Sequence, residues 1–325
     1  MKAIVFTQYG PPRDVLQLQD VAKPVPQPDQ VLIEVQAASV NAIDWRMVRA
    51  DPFFIRFGNG LSRPAKHPIP GADVAGRIVE VGANVTRFKV GDEVFGDLAN
   101  FGSGGFAEYV CSPESILAHK PAGWSFEEAA AVPLAAVTAL RALRDEAKVT
   151  AGQHVLVQGA GGGVGTYAVQ IAKALGARVT AVCGPGNVEL MKTLGADRIV
   201  DYTREDWTQI GERYDVILGV NGFRKLSDYR RALQPNGRYI AVGGTLSQVF
   251  QAMLLGPLVT MGSGKRIGIM VSAPSAEHLQ VLIGMAEAGQ LKPIISRRYP
   301  LAETAEALHH VATGHAQGKV VITVK

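Results

Sequence analysis

The chain has 325 residues, of which 47% are hydrophobic and 19% charged, and a formal net charge of +4. This length favours two domains, and the composition excludes a disordered or fibrous protein. The basic residues are scattered, with no cluster longer than a pair such as Arg297 and Arg298. A nucleic-acid partner, which would show itself as a steep salt dependence of binding, is therefore not expected.

The two cysteines, Cys111 and Cys183, lie too far apart in sequence for a disulfide framework and fit a reducing compartment. The N-terminal MKAIVFTQYG has no apolar signal core before Pro11. The longest uncharged stretch, 239–264, is interrupted by five glycines and Pro257. We therefore expect a cytoplasmic protein without an integral membrane segment.

Residues 1–122 alternate short β-rich runs with Gly, Pro and Asp: KAIVFT, QVLIEVQAASV, AGRIVEVG, DEVFG and FAEYV. This pattern predicts a small, mostly antiparallel β-domain. Over residues 123–270, strands alternate with helix-length segments, beginning HVLVQG, GVGTYAVQIAKALG and RVTAVCG. That alternation predicts βαβ units on a doubly wound parallel sheet, so the fold class is α/β.

The tail, residues 271–325, is too short to form a domain of its own and is expected to complete the parallel sheet and return to the first domain. Just before it, SQVFQAMLLGPLVTM is bulky and apolar. Three interpretations stay open for this stretch: a roof over a hydrophobic substrate pocket, a subunit interface, or an ordinary buried helix.

Residues 154–165, HVLVQGAGGGVG, form a strand-like run that ends in glycines and precedes an amphipathic helix. Small residues let backbone N–H groups approach a pyrophosphate, and the helix N-terminus favours an anion. Gly162 and Gly165 take the second and third glycine positions of the dinucleotide fingerprint, and Ala160 the first. The sequence therefore predicts a dinucleotide site that also includes Gly163 and Val164.

The second strand of this unit ends RVTAVCGPGN, and the next acid is Glu189. A carboxylate at this strand end would repel a 2′-phosphate by about 4 kcal/mol at 4 Å and an effective dielectric of 20, so its absence favours NADPH. The predicted residues around the adenosine end are Cys183, Asn187, Lys192 and Tyr202. Lys192 has an equal alternative as a solvated helix residue.

Several segments in order resemble the medium-chain dehydrogenase/reductase superfamily: GADVAGRIVEVG, FKVGDEVFG, GGFAEYV, AAVPLAAVTAL, QGAGGGVG and LGADRIVDY. NAIDWR and HAQGKVVITV are similar to its zinc-lacking quinone and enone oxidoreductase branch. The resemblance implies a GroES-like N-terminal domain, a Rossmann domain and a homodimer joined through Rossmann edge strands.

Zinc-dependent members of the superfamily carry a catalytic Cys in the segment where NAIDW lies and a GHE motif where GADVAG lies. The corresponding residues here are Asn41, Ala72 and Asp73. A catalytic zinc needs three good protein ligands. Because His67 precedes the motif by several residues, we interpret it as a loop histidine and expect no metal.

By the same resemblance, NAIDWR borders the nicotinamide and the substrate, which makes Asn41 and Arg46 the candidate catalytic residues. Asn41 can donate and accept hydrogen bonds to cofactor or substrate, and the Arg46 guanidinium can stabilise a developing oxyanion. Relatives often have Pro and Lys at the positions of Ala42 and Arg46. Asp44 is interpreted as an anchor of this loop through backbone hydrogen bonds.

The resemblance also implies cofactor contacts elsewhere in the chain. Thr138 matches a threonine near the nicotinamide, with a bond back to its own helix as the alternative. Gly318 and Lys319 match a segment that reaches the cofactor ribose. Gly219 stands where relatives have Asp. Further candidates near the nicotinamide are Asn221, Gly243 and Gly244.

The function predicted from these residues is NADPH-dependent hydride transfer to quinones or activated alkenes, which accept hydride without a Lewis acid. One alternative is an aldehyde or ketone reductase or an alcohol dehydrogenase. Another is a structural or regulatory NADPH-binding protein without turnover. NADPH oxidation with quinones and enones, lost on substitution of Arg46 or Asn41 with cofactor binding retained, distinguishes catalysis from binding alone.

Overall fold

The structure is a computed structural model that describes residues 1–64, 68–271, 273–314 and 316–325. His67, interpreted above as a loop histidine, lies outside the described residues. The chain divides into two compact units. Unit 1 comprises Met1–Val137, Ala273–Ile283 and Pro293–Lys325, and unit 2 comprises Thr138–Ser272 and Gly284–Lys292.

Unit 1 begins with short strands and helices separated by turns. Its strands are β1 (Lys2–Val5), β2 (Gln17–Asp20), β3 (Gln30–Val40), β4 (Asp73–Val81), β5 (Glu93–Asp97), β6 (Tyr109–Pro113) and β7 (Leu117–His119). Its helices are α1 (Pro12–Val15), α2 (Ala42–Arg49), α3 (Ile55–Asn59), α4 (Phe126–Ala130) and α5 (Pro133–Leu140), the last crossing into unit 2. The pairs β3–β4, β3–β6, β4–β5 and β5–β7 are all antiparallel.

Unit 2 alternates strands and helices. After a π-helical turn at Arg141–Glu146 come β8 (His154–Gln158), α6 (Gly163–Ala174), β9 (Arg178–Cys183), α7 (Val188–Thr193), β10 (Arg198–Asp201), β11 (Tyr214–Gly219), α8 (Leu226–Ala232), β12 (Leu233–Ala241), α9 (Leu246–Thr260) and β13 (Arg266–Ile269). Over the described residues these strands form one parallel sheet in the order β10-β9-β8-β11-β12-β13. The order reverses between β8 and β11, as in a Rossmann sheet.

The chain ends with α10 (Ala276–Glu287), β14 (Ile295–Pro300), α11 (Thr304–Ala312) and β15 (Lys319–Thr323). β15 pairs antiparallel with β3 and parallel with β14, so the tail extends the sheet of unit 1. The two sheets confirm the predicted fold class, α/β with a Rossmann sheet and a GroES-like, mostly antiparallel β-domain.

The apolar pattern of the sequence explains which elements are buried. β8, at the centre of the parallel sheet, is covered on both faces, and Val155, Leu156 and Val157 are fully buried. By contrast, α9 leaves Leu254, Leu258 and other apolar side chains exposed, so it differs from an ordinary buried helix. Among the helices of the described ranges, none is long and apolar enough to span a bilayer.

Candidate functional site

The turn between β8 and α6 has room only for glycine at two positions. Gly159 has a φ of +86°, and a Cβ there would lie 2.7 Å from the backbone N of Asn221. A Cβ at Gly165 would lie 2.2 Å from the carbonyl oxygen of Gly159. Both contacts are impossible for a real side chain, so these glycines let α6 start directly against the end of β8.

Within the same turn, Gly162 has room for a side chain. A Cβ added there would have the Gly159 carbonyl oxygen as its nearest neighbour, at an ordinary contact distance of 3.7 Å. The first turn of α6 contains no acidic side chain, so the positive end of this helix is not neutralised by its own residues. Open space beside a helix N-terminus is the arrangement that binds a pyrophosphate.

The loops that follow β8, β11 and β12 meet at the carboxyl edge of the parallel sheet. The backbone N–H of Asn221 donates to the Gln158 carbonyl at 3.2 Å, and a Cβ at Gly243 would lie 2.5 Å from the Val220 carbonyl oxygen. Gly244 has a φ of +99° and lies beside Gly222. The predicted residues brought to this edge are Ala160, Gly162, Gly163, Val164, Gly165, Asn221, Gly243 and Gly244.

The end of β9 contributes to the same edge. Burial raises the pKa of the Cys183 thiol to about 11, so this thiol stays protonated. The Asn187 side chain packs against Gly161, and its Oδ1 is buried without a hydrogen-bond partner in the described structure. The Tyr202 hydroxyl lies 3.2 Å from the position of a Cβ on Gly184. Asn187 and Tyr202 thus place polar side chains next to two glycines, Gly161 in the turn and Gly184 at the end of β9.

Two other predicted cofactor residues are placed differently. The Lys192 ammonium is bonded to Glu189 at 2.6 Å on the surface of α7, which agrees with the alternative of a solvated helix residue. Thr138 is buried on α5. Its assignment to the nicotinamide stays a prediction.

In unit 1, Asn41 precedes α2 and is tied to that helix by Asp44. The Asn41 backbone N–H donates to Asp44 Oδ2 at 2.7 Å, and Asp44 Oδ1 accepts the Ala72 N–H at 3.0 Å. Burial and the nearby Asp73 carboxylate raise the pKa of Asp44 to about 7. These bonds agree with the interpretation of Asp44 as a loop anchor.

The Asn41 side chain is buried in a polar cluster at the end of β3. Its Nδ2 donates to Asp73 Oδ2 at 2.9 Å, and its Oδ1 accepts from Lys319 Nζ at 2.7 Å. Asp73 also accepts the Ser39 hydroxyl at 2.8 Å and the Leu134 N–H at 2.9 Å. Asn41 therefore directs most of its hydrogen-bonding capacity into the protein.

Asp97 lies opposite Asp73 in the β4–β5 ladder, and its Oδ1 accepts the Ala99 N–H at 2.8 Å. Burial, reinforced by the Asp73 charge, raises the pKa of Asp97 to about 8. Sequence reasoning did not single out Ser39 or Asp97. The only available signal was a polar residue at the end of an otherwise apolar strand.

Arg46 and the Gly318–Lys319 segment complete the predicted set. The Arg46 guanidinium lies 5.2 Å from the centroid of the Trp45 ring, and partial burial lowers the pKa of Arg46. Gly318 has a φ of +78°, and a Cβ there would lie 2.5 Å from the Ile294 carbonyl oxygen. The Lys319 ammonium is directed at Asn41, whereas the resemblance led us to expect this segment at the cofactor ribose.

Sequence reasoning also missed Gln158, the polar last residue of β8, whose Oε1 accepts the Tyr229 hydroxyl at 2.7 Å. Nearby, the Tyr239 ring stacks on Tyr229 with centroids 3.9 Å apart. A Cβ at Gly219 would lie 2.5 Å from the Tyr239 hydroxyl oxygen. The Tyr239 side chain thus fills the space of a side chain at position 219.

Comparison with known proteins defines the class. Residues 27–122 match the alcohol dehydrogenase GroES-like domain family, and residues 194–322 match the zinc-binding dehydrogenase family. The chloroplast envelope quinone oxidoreductase homolog of Arabidopsis thaliana is 33% identical over 334 residues, covering 99% of this chain and 98% of that protein. The NADPH-dependent alkenal/one oxidoreductase of the same plant is 32% identical over 336 residues, covering 99% and 79%.

The solved structure of the quinone oxidoreductase from Coxiella burnetii matches with a TM-score of 0.90 and 31% identity, covering 100% of this chain and 99% of that one. The chain therefore belongs to the medium-chain dehydrogenase/reductase superfamily, among its quinone and enone oxidoreductases. The resemblance drawn from the sequence is confirmed. These relatives support an oxidoreductase with a pyridine-nucleotide-binding domain and a small-molecule substrate.

Some members of this superfamily bind zinc, so the donor atoms at the corresponding positions decide whether this chain can hold the metal. Asn41 and Asp73 offer an amide and a carboxylate, and Ala72 offers no ligand. An ammonium group lies 3.5 Å from Asp73 Oδ2. Without a thiol or an imidazole, and with a cation already adjacent, this donor set does not fit a catalytic zinc. Within the described ranges, no group of three or more His, Cys, Asp or Glu is arranged to hold a metal.

Proposed function

We propose that this chain is an NADPH-dependent, zinc-independent oxidoreductase that transfers hydride to quinones or α,β-unsaturated carbonyls. The observation that carries the proposal is the glycine turn after β8. It combines two positions closed to any side chain, Gly159 and Gly165, with one open position, Gly162, at the N-terminus of α6. Such a turn at the point where strand order reverses supports a dinucleotide site.

The residues present fit a pyridine dinucleotide. The backbone N–H groups of Gly163 and Val164 would hold the pyrophosphate, because the first N–H groups of a helix have no intrahelical acceptor, while the Gly162 N–H donates to the Gly159 carbonyl at 3.3 Å. The orphan Oδ1 of Asn187 marks an acceptor position that a ribose hydroxyl would satisfy. Asn221, Gly243 and Gly244 are proposed to contact the nicotinamide end.

The preference for NADPH is supported by the chemistry at the end of β9. No carboxylate occurs between Cys183 and Val188, and Glu189 is exposed and paired with Lys192. The Tyr202 hydroxyl can donate to a phosphate oxygen. One relative, the alkenal/one oxidoreductase of Arabidopsis, is named as NADPH-dependent.

The bound cofactor would supply the hydride, and this chain's residues would bind and orient the acceptor. Arg46 is the proposed group that stabilises the oxygen on which negative charge develops, because its guanidinium stays charged even when partly buried. Asn41, whose Oδ1 accepts from Lys319 and whose side chain also caps α2, is proposed to border the acceptor. Quinones and enones suit such a site, because hydride enters a conjugated system directly.

The test is a cofactor and acceptor screen combined with Arg46→Met. We expect NADPH oxidation with quinones or enones and little with simple ketones or alcohols. In Arg46→Met we expect a roughly 100- to 1,000-fold lower kcat with unchanged NADPH affinity, in the range typical of lost electrostatic stabilisation. Arg49→Met is the matched control, because Arg49 lies on the same helix and also stacks on Trp45, at 5.7 Å. Tight NADPH binding with no turnover on any acceptor would favour a non-catalytic protein.

We also propose a homodimer formed at the β13 edge of unit 2. Among the described residues β13 has a strand partner on one side only, and the neighbouring α9 exposes Leu254, Leu258 and the adjoining Met261. An unpaired edge beside exposed apolar side chains is a surface that association would cover. A cytoplasmic location and the absence of a nucleic-acid partner stay predictions.

A further inference from the structure

Lys319, the first residue of β15, has a fully buried cationic group. Only 2% of its side chain is exposed, and none of the Asp73 side chain is. The ammonium nitrogen lies 2.7 Å from Asn41 Oδ1, 3.5 Å from Asp73 Oδ2 and 3.5 Å from the Val40 carbonyl oxygen. A buried ammonium is strongly unfavourable unless it is paired and hydrogen-bonded, so these oxygens are what allow a lysine here.

The buried carboxylate of Asp73 in turn needs the Lys319 ammonium as its counter-charge. Asp73 faces Asp97 across the β4–β5 ladder and lies close to Asp44. Lys319 is the cation that faces these three carboxyl groups within the described residues, and the remaining partners of Asp73 are neutral donors from Ser39, Asn41 and Leu134. Removal of the ammonium would leave Asp73 as a buried charge without a counter-charge.

The same charges fix the direction of the Asn41 amide. In the observed orientation, the amide oxygen accepts from the ammonium and the amide nitrogen donates to the carboxylate. A flipped amide would place its oxygen against the Asp73 carboxylate and its NH₂ against the ammonium, so both contacts would be repulsive. The Lys319–Asp73 pair therefore selects one of the two amide orientations.

We propose that the Lys319 ammonium is the internal counter-charge of Asp73 and sets the orientation of the Asn41 side chain, at positions where zinc-dependent members of the superfamily carry metal ligands. Lys319 is thus a positioning residue that acts through Asn41. A divalent cation beside the ammonium would meet electrostatic repulsion, so the cluster excludes a metal ion. This inference goes beyond the proposed function and needs neither cofactor nor acceptor for its test.

The charge pairing is tested by a double-mutant cycle of Lys319→Met and Asp73→Asn in the full chain. Each single substitution leaves one buried charge unpaired and is expected to lower the Tm by roughly 10 °C. The double variant, which lacks both charges, is expected to recover more than half of the loss. Lys325→Met is the matched control, because its exposed pair with Glu34 at 2.5 Å should change the Tm by less than about 2 °C.

A double variant no more stable than Lys319→Met would overturn the counter-charge role, as would a Lys319→Met protein as stable as the wild type. If Lys319→Met does not fold, recovery of folded protein in the double variant supports the proposal, and failure of the double variant contradicts it. Binding of one cobalt ion per wild-type chain, lost in Asp73→Asn, would contradict the exclusion of metal.

The orientation of Asn41 has its own readout. In ¹H–¹⁵N spectra, the Asn41 Nδ2 protons, identified by their loss in Asn41→Asp, are expected to exchange slowly with solvent because Nδ2 is bonded to Asp73. In folded Lys319→Met, which keeps Asp73 as the acceptor of Nδ2, these protons should exchange at least 10-fold faster, because the cation that orients the amide is gone. Unchanged exchange would show that other contacts hold the amide, such as the 3.4 Å bond from Nδ2 to the Ser39 carbonyl, and would overturn the positioning role.

Discussion

Gly162 and Gly165 lie in one turn but have different surroundings, which makes them a matched pair. Gly162→Ala has room for its methyl group, so we expect a change in the free energy of unfolding below about 1 kcal/mol. The methyl group would occupy the proposed pyrophosphate position, so NADPH affinity should fall at least 10-fold. Isothermal titration calorimetry and thermal unfolding of the same protein measure both quantities.

Gly165→Ala, unlike Gly162→Ala, is expected to lower the stability of the fold. Its Cβ would lie 2.2 Å from the Gly159 carbonyl oxygen, so α6 must move away from β8. A loss of roughly 1–3 kcal/mol in the free energy of unfolding is expected, as for other overpacked sites. Equal stability of the two variants would contradict the assignment of open and closed positions.

A substitution at Asn187 is expected to alter the preference for NADPH over NADH. Asn187→Asp places a carboxylate beside Gly161, where it would repel a 2′-phosphate by up to about 4 kcal/mol. The Kd for NADPH is expected to rise at least 10-fold, with a smaller change for NADH, in parallel fluorescence titrations. Glu189→Gln is the control, because Glu189 is exposed and already paired with Lys192. Equal losses for both coenzymes would argue against a 2′-phosphate at this position.

At the residue scale, the sequence predicted the positions whose identity is forced by the backbone and missed those defined by distant partners. The glycine fingerprint named Gly162 and Gly165 because close approach of backbone requires a glycine in any protein with this turn. The roles of Gly159 and Lys319 depend on Asn221 and on Asn41, which are far away in sequence. Local pattern carries no information about such contacts.

At the scale of elements, β4 and β5 bring buried carboxyl groups together, and this pairing predicts a pH dependence of stability. The pKa values of Asp44 and Asp97 are raised to about 7 and about 8, above the value of about 3.9 expected in the unfolded chain. A raised folded-state pKa contributes stability that is present below about pH 4 and lost as the pH rises to about 8. We therefore expect the Tm to fall between pH 5 and pH 8.5.

Asp97→Asn removes one of these titrating groups while its side-chain oxygen can still accept the Ala99 N–H. The slope of stability against pH should become less steep, by up to about 1.4 kcal/mol per pH unit for one proton. Asp20→Asn is the control, because the pKa of this exposed carboxyl is lowered by Lys2 and its contribution lies at lower pH. An unchanged slope in Asp97→Asn, measured by thermal unfolding across the same pH range, would contradict the raised pKa.

The sequence predicted helices and strands well where apolar residues form a continuous run or recur at a regular spacing. The continuous apolar run at β8 is recognisable because this central strand is buried, and α6 is recognisable because its apolar residues recur with the helical period, although residues 165–172 are all buried. The sequence did not decide whether α9 is a buried helix, a pocket roof or a subunit interface. An apolar helix has the same sequence pattern whether it packs against the core or against a partner. Only the exposure of Leu258 and Met261 in the folded chain distinguishes these possibilities.

At the scale of the whole molecule, the edge of unit 2 predicts the oligomeric state. Leu258 is 66% exposed on α9, and Leu258→Asp would place a charge in the proposed apolar interface. We expect the wild type at twice the chain mass of 34.6 kDa and the variant shifted toward the single chain in light-scattering chromatography. Val25→Asp, at another exposed apolar position, should leave the mass unchanged. A wild-type protein at 34.6 kDa would contradict the dimer.

The order of motifs along the chain was sufficient to predict the superfamily and both sheets, because each motif has a backbone requirement of its own. The pairing of β15 with β3, more than 270 residues apart, brings Lys319 to Asn41 and was not visible in either segment alone. Global topology therefore brings Asn41 and Lys319, which the sequence analysis named separately, into one polar cluster.

The contact between Gly219 and Tyr239 makes the residue allowed at position 219 depend on the residue at position 239. Since the Tyr239 hydroxyl occupies the space of a Cβ at position 219, no side chain can enter there until the tyrosine shrinks or turns away. A lineage that acquires an acidic residue at position 219 must first, or at the same time, replace Tyr239. Gly219→Asp should accordingly be tolerated only together with Tyr239→Ala or a similarly small residue, an order of substitution that ancestral reconstruction can examine.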